Sequence, residues 1–131
     1  MKHPFAELIG FTVTLNDDNS SFCSVDATDK LFNPQNVVHG GVMYALADSG
    51  MGAAIYPSLV DDELCATIEI KICYFSAVRN GTIDCTTKLK HRAKTWAYLE
   101  SKITNDGNLV AKATGTYSIF RPRDNGIQQT I

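Results

Sequence analysis

Apolar and polar residues alternate along most of this chain, and one segment breaks the alternation. Phe11-Thr12-Val13-Thr14-Leu15 has the period of two that marks a strand. Asn16-Asp17-Asp18-Asn19 is a turn, and Ser21 to Ala27 reads as the second strand of a hairpin. Residues 4–9 read as a short helical turn, and Lys30 to Val38 as a loop containing Pro34. Gly40 to Tyr56 differs in kind. From Val42 to Ile55 its only charged residue is Asp48, and Pro57 ends it. A helix apolar nearly all round is expected to be buried. Its small residues let other backbone approach, and close packing is the expected compensation for Gly50 and Gly52, which weaken a helix by up to ~1 kcal/mol each.

Beyond the helix the pattern is all strand. Ala66, Ile68, Ile70, Ile72 and Tyr74 alternate with Thr67, Glu69, Lys71, Cys73 and Phe75. Asn80-Gly81 is a hairpin signal, after which Ile83, Cys85, Thr87 and Leu89 continue the period. Ala97, Leu99, Ser101 and Ile103 share one face of the next strand, with Trp96, Tyr98, Glu100 and Lys102 on the other. Asp106-Gly107 turns into a last strand with Leu109, Ala111, Ala113, Gly115, Tyr117 and Ile119 on one face. Residues 121–131 are polar and expected to form a flexible tail. The predicted order is a hairpin, one long buried helix, and a meander of about four strands. That is an α+β fold, with a curved antiparallel sheet wrapped around a central helix. The incompletely polar Trp96/Tyr98 face implies that partner chains cover part of the sheet.

Length and charge narrow the function classes. A chain of 131 residues is one domain, 1–131, with one core. Its net charge of -2, with both signs mixed along the chain, lacks the basic face that nucleic-acid binding needs. No apolar run approaches the ~20 residues of a membrane span, and the N-terminus has no signal-peptide core, so a cytoplasmic protein is expected. Cys23, Cys65, Cys73 and Cys85 fall in no metal-ligand spacing and are expected to be buried free thiols.

Two features carry chemistry. His39-Gly40-Gly41 sits where the helix begins, where backbone N–H groups lack partners and the dipole is positive. Glycines let a ligand approach such N–H groups, which suits a developing oxyanion; a glycine turn capped by a histidine would read the same. Asp48 is a lone carboxylate on an apolar helix, expensive to bury unpaired. It reads either as a structural group, bonded to a strand or a partner's Arg, or as a general base or nucleophile in a semi-dry cleft. Gly40 and Asp48 are eight residues apart, roughly 12 Å along one helix at ~1.5 Å per residue. They cannot meet on one small carbonyl within one chain, so a joint site needs two subunits.

The chain resembles the PaaI-type acyl-CoA thioesterases of the hotdog superfamily. The resemblance is carried by Pro4 to Gly10, Asn33 with His39-Gly40-Gly41, Leu46-Ala47-Asp48, Ala66 to Tyr74 and Ala111 to Gly115. It spans roughly residues 4–120. It implies a hotdog fold and hydrolysis of an acyl-CoA thioester, by a dimer that often pairs into a tetramer. The Gly40 N–H would polarise the carbonyl beside Gly41, and Asn33 would help bind it. Asp48 would activate water or attack directly. Thr67 falls where related enzymes carry a water-holding hydroxyl, and His39 would orient the loop or bond near the thioester oxygen. Such chemistry needs an oxyanion stabiliser and a base, with no metal or cofactor beyond the coenzyme A of the substrate. Arg92 and Lys94, and less so Arg121 and Arg123, are candidates for the CoA phosphates. Met43, Tyr44, Met51 and Ile55 are candidates for the acyl pocket wall.

Two rival functions fit the same fold class. A hotdog hydratase or dehydratase would place its His and acid differently and carry a glycine-proline loop that is absent here. A non-catalytic acyl-CoA-binding protein has no need of Asp48, Asn33 and Thr67 together. His3 and His91 read as surface histidines, and Asp61-Asp62-Glu63 as a solvated loop rather than a metal site.

Overall fold

The computed structural model describes residues 2–122. Most of the expected tail, residues 123–131 with Arg123, lies outside them. A short helix α1 (Pro4–Ile9) leads into strands β1 (Thr12–Leu15) and β2 (Ser20–Asp26). The long helix α2 (Gly40–Ile55) follows, then β3 (Leu64–Tyr74), β4 (Thr82–Arg92), β5 (Trp96–Asn105) and β6 (Asn108–Phe120). His3 caps α1 by accepting the Ala6 N–H at Nδ1, and Gly10 ends it in the left-handed conformation, φ 96°. Asp106 and Gly107, both at positive φ, make the tight turn between β5 and β6.

The six strands form one antiparallel sheet in the order β1-β2-β4-β5-β6-β3. This is the α+β hotdog architecture, a central helix held by a curved sheet. The expected four-strand meander is corrected to three strands, β4-β5-β6. β3 crosses to the far edge and pairs with β6, while β4 takes the place beside β2. Asn80-Gly81 is therefore not a β3–β4 hairpin turn. It ends a crossing segment whose Val78 is fully buried, with its carbonyl accepting from Val38. The Gly81 carbonyl accepts from Ala27, which docks the crossing beside β2.

Two bulges correct the strand faces. Ile68 is unmatched between the pairs Thr67↔Tyr117 and Glu69↔Thr116, and it lies 55% exposed. Cys65 and Thr67 thus face inward before the bulge, and Ile70 and Ile72 after it. On β6 the register slips between Ile103 and Thr104, so Leu109 is exposed and Val110 and Ala111 are both buried.

The core lies between α2 and the concave face of the sheet. Val42, Met43, Leu46, Ala47, Met51, Ala54 and Ile55 point into it, against Ile83, Leu99, Ile103 and Tyr117. The sheet wraps the helix as expected and leaves Gly41 and Tyr44 exposed on its other side, with Tyr56 exposed just past its end. The two helix glycines also differ. A Cβ on Gly50 would lie 2.8 Å from Thr87 Oγ1 and 3.2 Å from Ser21 Oγ, so packing does demand that glycine. A Cβ on Gly52 would meet nothing within 4 Å. Around Gly50 the buried hydroxyls are satisfied: Ser21 donates to the Gly50 carbonyl at 2.5 Å, and Thr87 and Ser101 share a bond of 2.6 Å. Of the free cysteines, Cys23 and Cys85 are buried and Cys65 half-buried, whereas Cys73 is exposed, contrary to expectation.

Candidate active site

Asp48 sits in the middle of α2, half-buried, and turns toward β3 and β6. Its Oδ1 accepts from the Thr67 hydroxyl at 2.8 Å and from the Tyr117 hydroxyl. The same Tyr117 hydroxyl lies 2.9 Å from the Asp48 backbone carbonyl. Thr67 and Tyr117 are directly opposed across β3 and β6, so the two donors arrive side by side on one face. No described residue donates to Oδ2. The carboxylate is thus held through one oxygen and leaves the other to solvent or a ligand. Tyr117 is 2% exposed. Burial, and then the charge of Asp48 and the bond to it, push the Tyr117 phenol far above its ordinary range, so it stays a donor. Nothing in the period-two pattern marked Tyr117 as more than a core residue. The available signal was a hydroxyl on the buried face, which needs a partner.

The other candidate centre is the start of α2. His39 caps the helix, its Nδ1 accepting the Gly41 N–H at 2.8 Å. The histidine-cap reading therefore holds for Gly41. The neighbouring Gly40 N–H has no acceptor among the described residues, which leaves it available to a ligand. In the neutral ring, acceptance at Nδ1 places the His39 proton on Nε2. Tyr74, which sequence reasoning left as a strand residue, lies over this turn. Its hydroxyl donates to the Gly40 carbonyl at 2.6 Å, and a Cβ on Gly40 would come within 3.0 Å of its ring. Gly40 is thus required by Tyr74, and Gly41 by the His39 ring, 2.8 Å from where its Cβ would be. Asn33 shapes the loop leading in, its Oδ1 accepting from Gln35 at 2.9 Å. The structure brings Asp48 and Thr67 together, and separately gathers His39, Gly40 and Gly41.

Several candidates for substrate contact have other partners. Met43 and Met51 are buried at 2% and 0% exposure, and Met51 packs against Gly115. Ile55 is likewise fully buried, and Tyr44 is exposed. Arg92 reaches Glu63 at 2.7 Å, Ser58 Oγ at 3.2 Å and the carbonyls of Ala93 and Lys94. Through these contacts Arg92 clamps the loop after α2. Arg121 similarly pairs with Asp62 at 2.9 Å. The Val60 N–H holds the Glu63 carboxyl below its ordinary range against desolvation, with Arg92 and then Arg121 adding to it. Asp61 and Asp62 stay exposed, as expected of a solvated loop, while Glu63 is held by Arg92. Lys94 is exposed, with no ion pair among the described residues.

A family model described as "Thioesterase superfamily" matches residues 35–112. This stretch holds the start of α2, Asp48 and Thr67. A 1,4-dihydroxy-2-naphthoyl-CoA hydrolase of Listeria monocytogenes is 25% identical over 100 residues, 76% of this chain and 81% of that protein. A conserved protein of Pseudomonas aeruginosa superposes with a TM-score of 0.86 at 29% identity, covering 92% of this chain and 96% of the other. A thioesterase of Haemophilus influenzae superposes with a TM-score of 0.83 over 89% of this chain and 82% of its own; at 17% identity it speaks to the fold alone.

Proposed function

Since the chain belongs to the thioesterase superfamily, we propose that it hydrolyses an acyl-CoA thioester, with Asp48 as general base or nucleophile. The observation that carries this reading is the half-tethered carboxylate: Thr67 and Tyr117 hold Oδ1, and Oδ2 is free to act. That the similar Listeria protein is named as a CoA hydrolase supports the choice of thioester.

In the base route, Oδ2 takes a proton from water as the water oxygen bonds to the carbonyl carbon. The Gly40 N–H and His39 Nε2–H face the oxyanion. The C–S bond then breaks and the proton passes to the CoA thiolate. In the nucleophile route, Oδ2 itself bonds to the carbonyl carbon and expels the thiolate, and water then cleaves the mixed anhydride. Thr67 and Tyr117 serve both routes by fixing the carboxylate. Asn33 serves them by holding the loop that delivers His39, and Lys94, exposed and without an ion pair among the described residues, is a candidate for a CoA phosphate.

The separation of roughly 12 Å between Gly40 and Asp48 along α2 makes the site one shared between two subunits, so the active unit is a dimer at least. Support comes from β3, which ends the sheet with a free edge and exposes Leu64, Ile68 and Tyr74. The test is thiol release from acyl-CoA substrates of short, medium, long and aryl type, for wild type and Asp48→Asn. Turnover that disappears in the variant is expected; full turnover by Asp48→Asn would refute the assignment. Sedimentation as a stable monomer at micromolar concentration would refute the shared site.

A further inference from the structure

Strand β3 reaches α2 at two places. Thr67 meets Asp48 in the middle of the helix, and Tyr74 meets Gly40 at its start. Thr67 and Tyr74 are seven residues apart, an odd spacing that in a regular strand puts two side chains on opposite faces. The bulge at Ile68 removes that conflict. Thr67 pairs with Tyr117 before it, and Ile70, Ile72 and Tyr74 pair with Gly115, Ala113 and Ala111 after it. Both hydroxyls therefore turn toward the helix.

At the helix start the polar contacts run in one direction. The Tyr74 hydroxyl donates to the Gly40 carbonyl at 2.6 Å. That carbonyl shares its peptide plane with the Gly41 N–H, which donates to His39 Nδ1 at 2.8 Å. The neutral His39 ring then carries its proton on Nε2. In such a chain each donor draws charge from the group it bonds and strengthens the next bond. The hydroxyl makes the Gly41 N–H a better donor, and that N–H makes Nε2–H a better donor in turn. The Tyr74 ring adds a steric restraint, 3.0 Å from where a Cβ on Gly40 would be. Packing alone needs no hydroxyl, because phenylalanine would supply the same ring. Burial, and then Tyr44 nearby, raise the Tyr74 phenol above its ordinary range, so it stays a donor.

We propose that Tyr74 is a positioning residue for the hydrolysis: through the Gly40–Gly41 peptide, its hydroxyl holds His39 in the tautomer protonated on Nε2 and fixes the aim of that N–H at the oxyanion. The inference rests on the reading that His39 Nε2–H and the Gly40 N–H face the thioester oxygen. Tyr74 thus serves the Gly40 half of the site as Thr67 and Tyr117 serve the Asp48 half.

The test compares wild type with Tyr74→Phe in thiol release from an acyl-CoA that wild type hydrolyses, beside a melting curve and the nitrogen NMR signals of the His39 ring. Losing one neutral hydrogen bond that acts in the transition state is expected to lower kcat roughly threefold to tenfold, with KM unchanged. His39→Ala removes the end of the chain, so adding Tyr74→Phe to it is expected to lower kcat by less than about twofold more. The wild-type ring signals are expected to show Nε2 protonated and Nδ1 bare, and those of Tyr74→Phe to move toward a mixture of tautomers. In an active enzyme, an undiminished kcat in Tyr74→Phe overturns the proposal, and so does a change in KM alone. An equal loss in the His39→Ala background, or ring signals that the substitution leaves unchanged, also overturns it. Wild type that turns over no acyl-CoA refutes the hydrolase reading itself and the positioning role with it, an outcome distinct from an active enzyme indifferent to Tyr74.

Discussion

Removing the Tyr117 hydroxyl tests the logic of the site most directly. Tyr117→Phe keeps the ring, which is 2% exposed and packed in the core, and deletes one donor to the Asp48 carboxylate. A hydrogen bond to a charged group is worth about 1.5–3 kcal/mol. Asp48 is partly exposed, so water recovers part of that, and the net loss of stability should stay at ~1 kcal/mol. The kinetic effect has two opposed contributions. A hydroxyl donating to Oδ1 draws charge from the carboxylate, so its loss alone would leave more charge on the oxygen that reacts. The same hydroxyl also bonds the Asp48 backbone carbonyl and, with Thr67, fixes the plane of the carboxylate. Misplacing a reacting group by about 1 Å can cost 10²-fold. Positioning should win, with kcat down about 10- to 100-fold and KM little changed. Thr67→Val should act in the same direction. Because both donors share one oxygen, the double variant should lose less than the product of the two single losses. The assay is thiol release at saturating acyl-CoA, beside a melting curve for each variant. A Tyr117→Phe protein with wild-type melting and equal or higher kcat would refute the positioning role. Strictly multiplicative losses would refute the shared function.

Other outcomes follow from single contacts. Gly52→Ala should raise stability by up to ~1 kcal/mol through helix propensity. Gly50→Ala should lower it by about 1–3 kcal/mol, because its Cβ is driven into the Thr87–Ser21 hydroxyls; chemical denaturation of the pair reads both signs. Burial pushes the Cys23 thiol from 9.0 up to about 12, and the nearby Cys85 adds to it. Cys85 and Tyr117 are raised in the same way by burial. The folded state therefore keeps protons that the unfolded chain gives up. Stability should be full below pH 9.0 and fall progressively as pH rises toward 12, visible in melting temperatures from pH 8 upward. Arg92→Ala should lower the melting temperature with little change in KM, since its guanidinium clamps Glu63 and Ser58. Lys94→Ala should raise KM for acyl-CoA without affecting melting, and the effect should vanish with a thioester lacking the CoA phosphates.

Much of this architecture was legible because it is local. The apolar run from Val42 to Ile55 specified α2, and Asp106-Gly107 specified its turn. The alternation in β4 and β5 assigned the inward faces correctly, since side-chain period and burial coincide there. The place of β3 was not legible. Alternation says which face a strand buries and nothing about its neighbour, so a strand followed by Asn80-Gly81 reads as half of a hairpin whether or not it becomes one. Tyr74 and Tyr117 were missed for a related reason. Each lies in a strand where an aromatic residue is unremarkable, and each gains its role from a backbone or carboxylate far away in sequence. A rule of matching would have found Tyr117: a buried carboxylate without a donor and a buried hydroxyl without an acceptor are each costly alone.

The bulge at Ile68 explains how one strand serves both core and site. Under strict alternation, a β3 that turns Thr67 inward toward Asp48 would also turn Glu69 and Lys71 inward and leave Ile70 and Ile72 in solvent. A β3 that buries Ile70 and Ile72 would turn Thr67 away from Asp48. The sequence carries both demands, polar at Thr67 and apolar at Ile70 and Ile72, three and five residues on. One extra residue reconciles them. Ile68 is extruded, Thr67 stays opposite Tyr117, and Gly115 and Ala113 receive Ile70 and Ile72 in register. The crossover matters for the same reason. Only beside β6 does β3 have Tyr117 as its cross-strand partner, and only that pair presents two hydroxyls to one carboxylate oxygen. The departures from local pattern, the crossing and the bulge, are thus what assemble the candidate site.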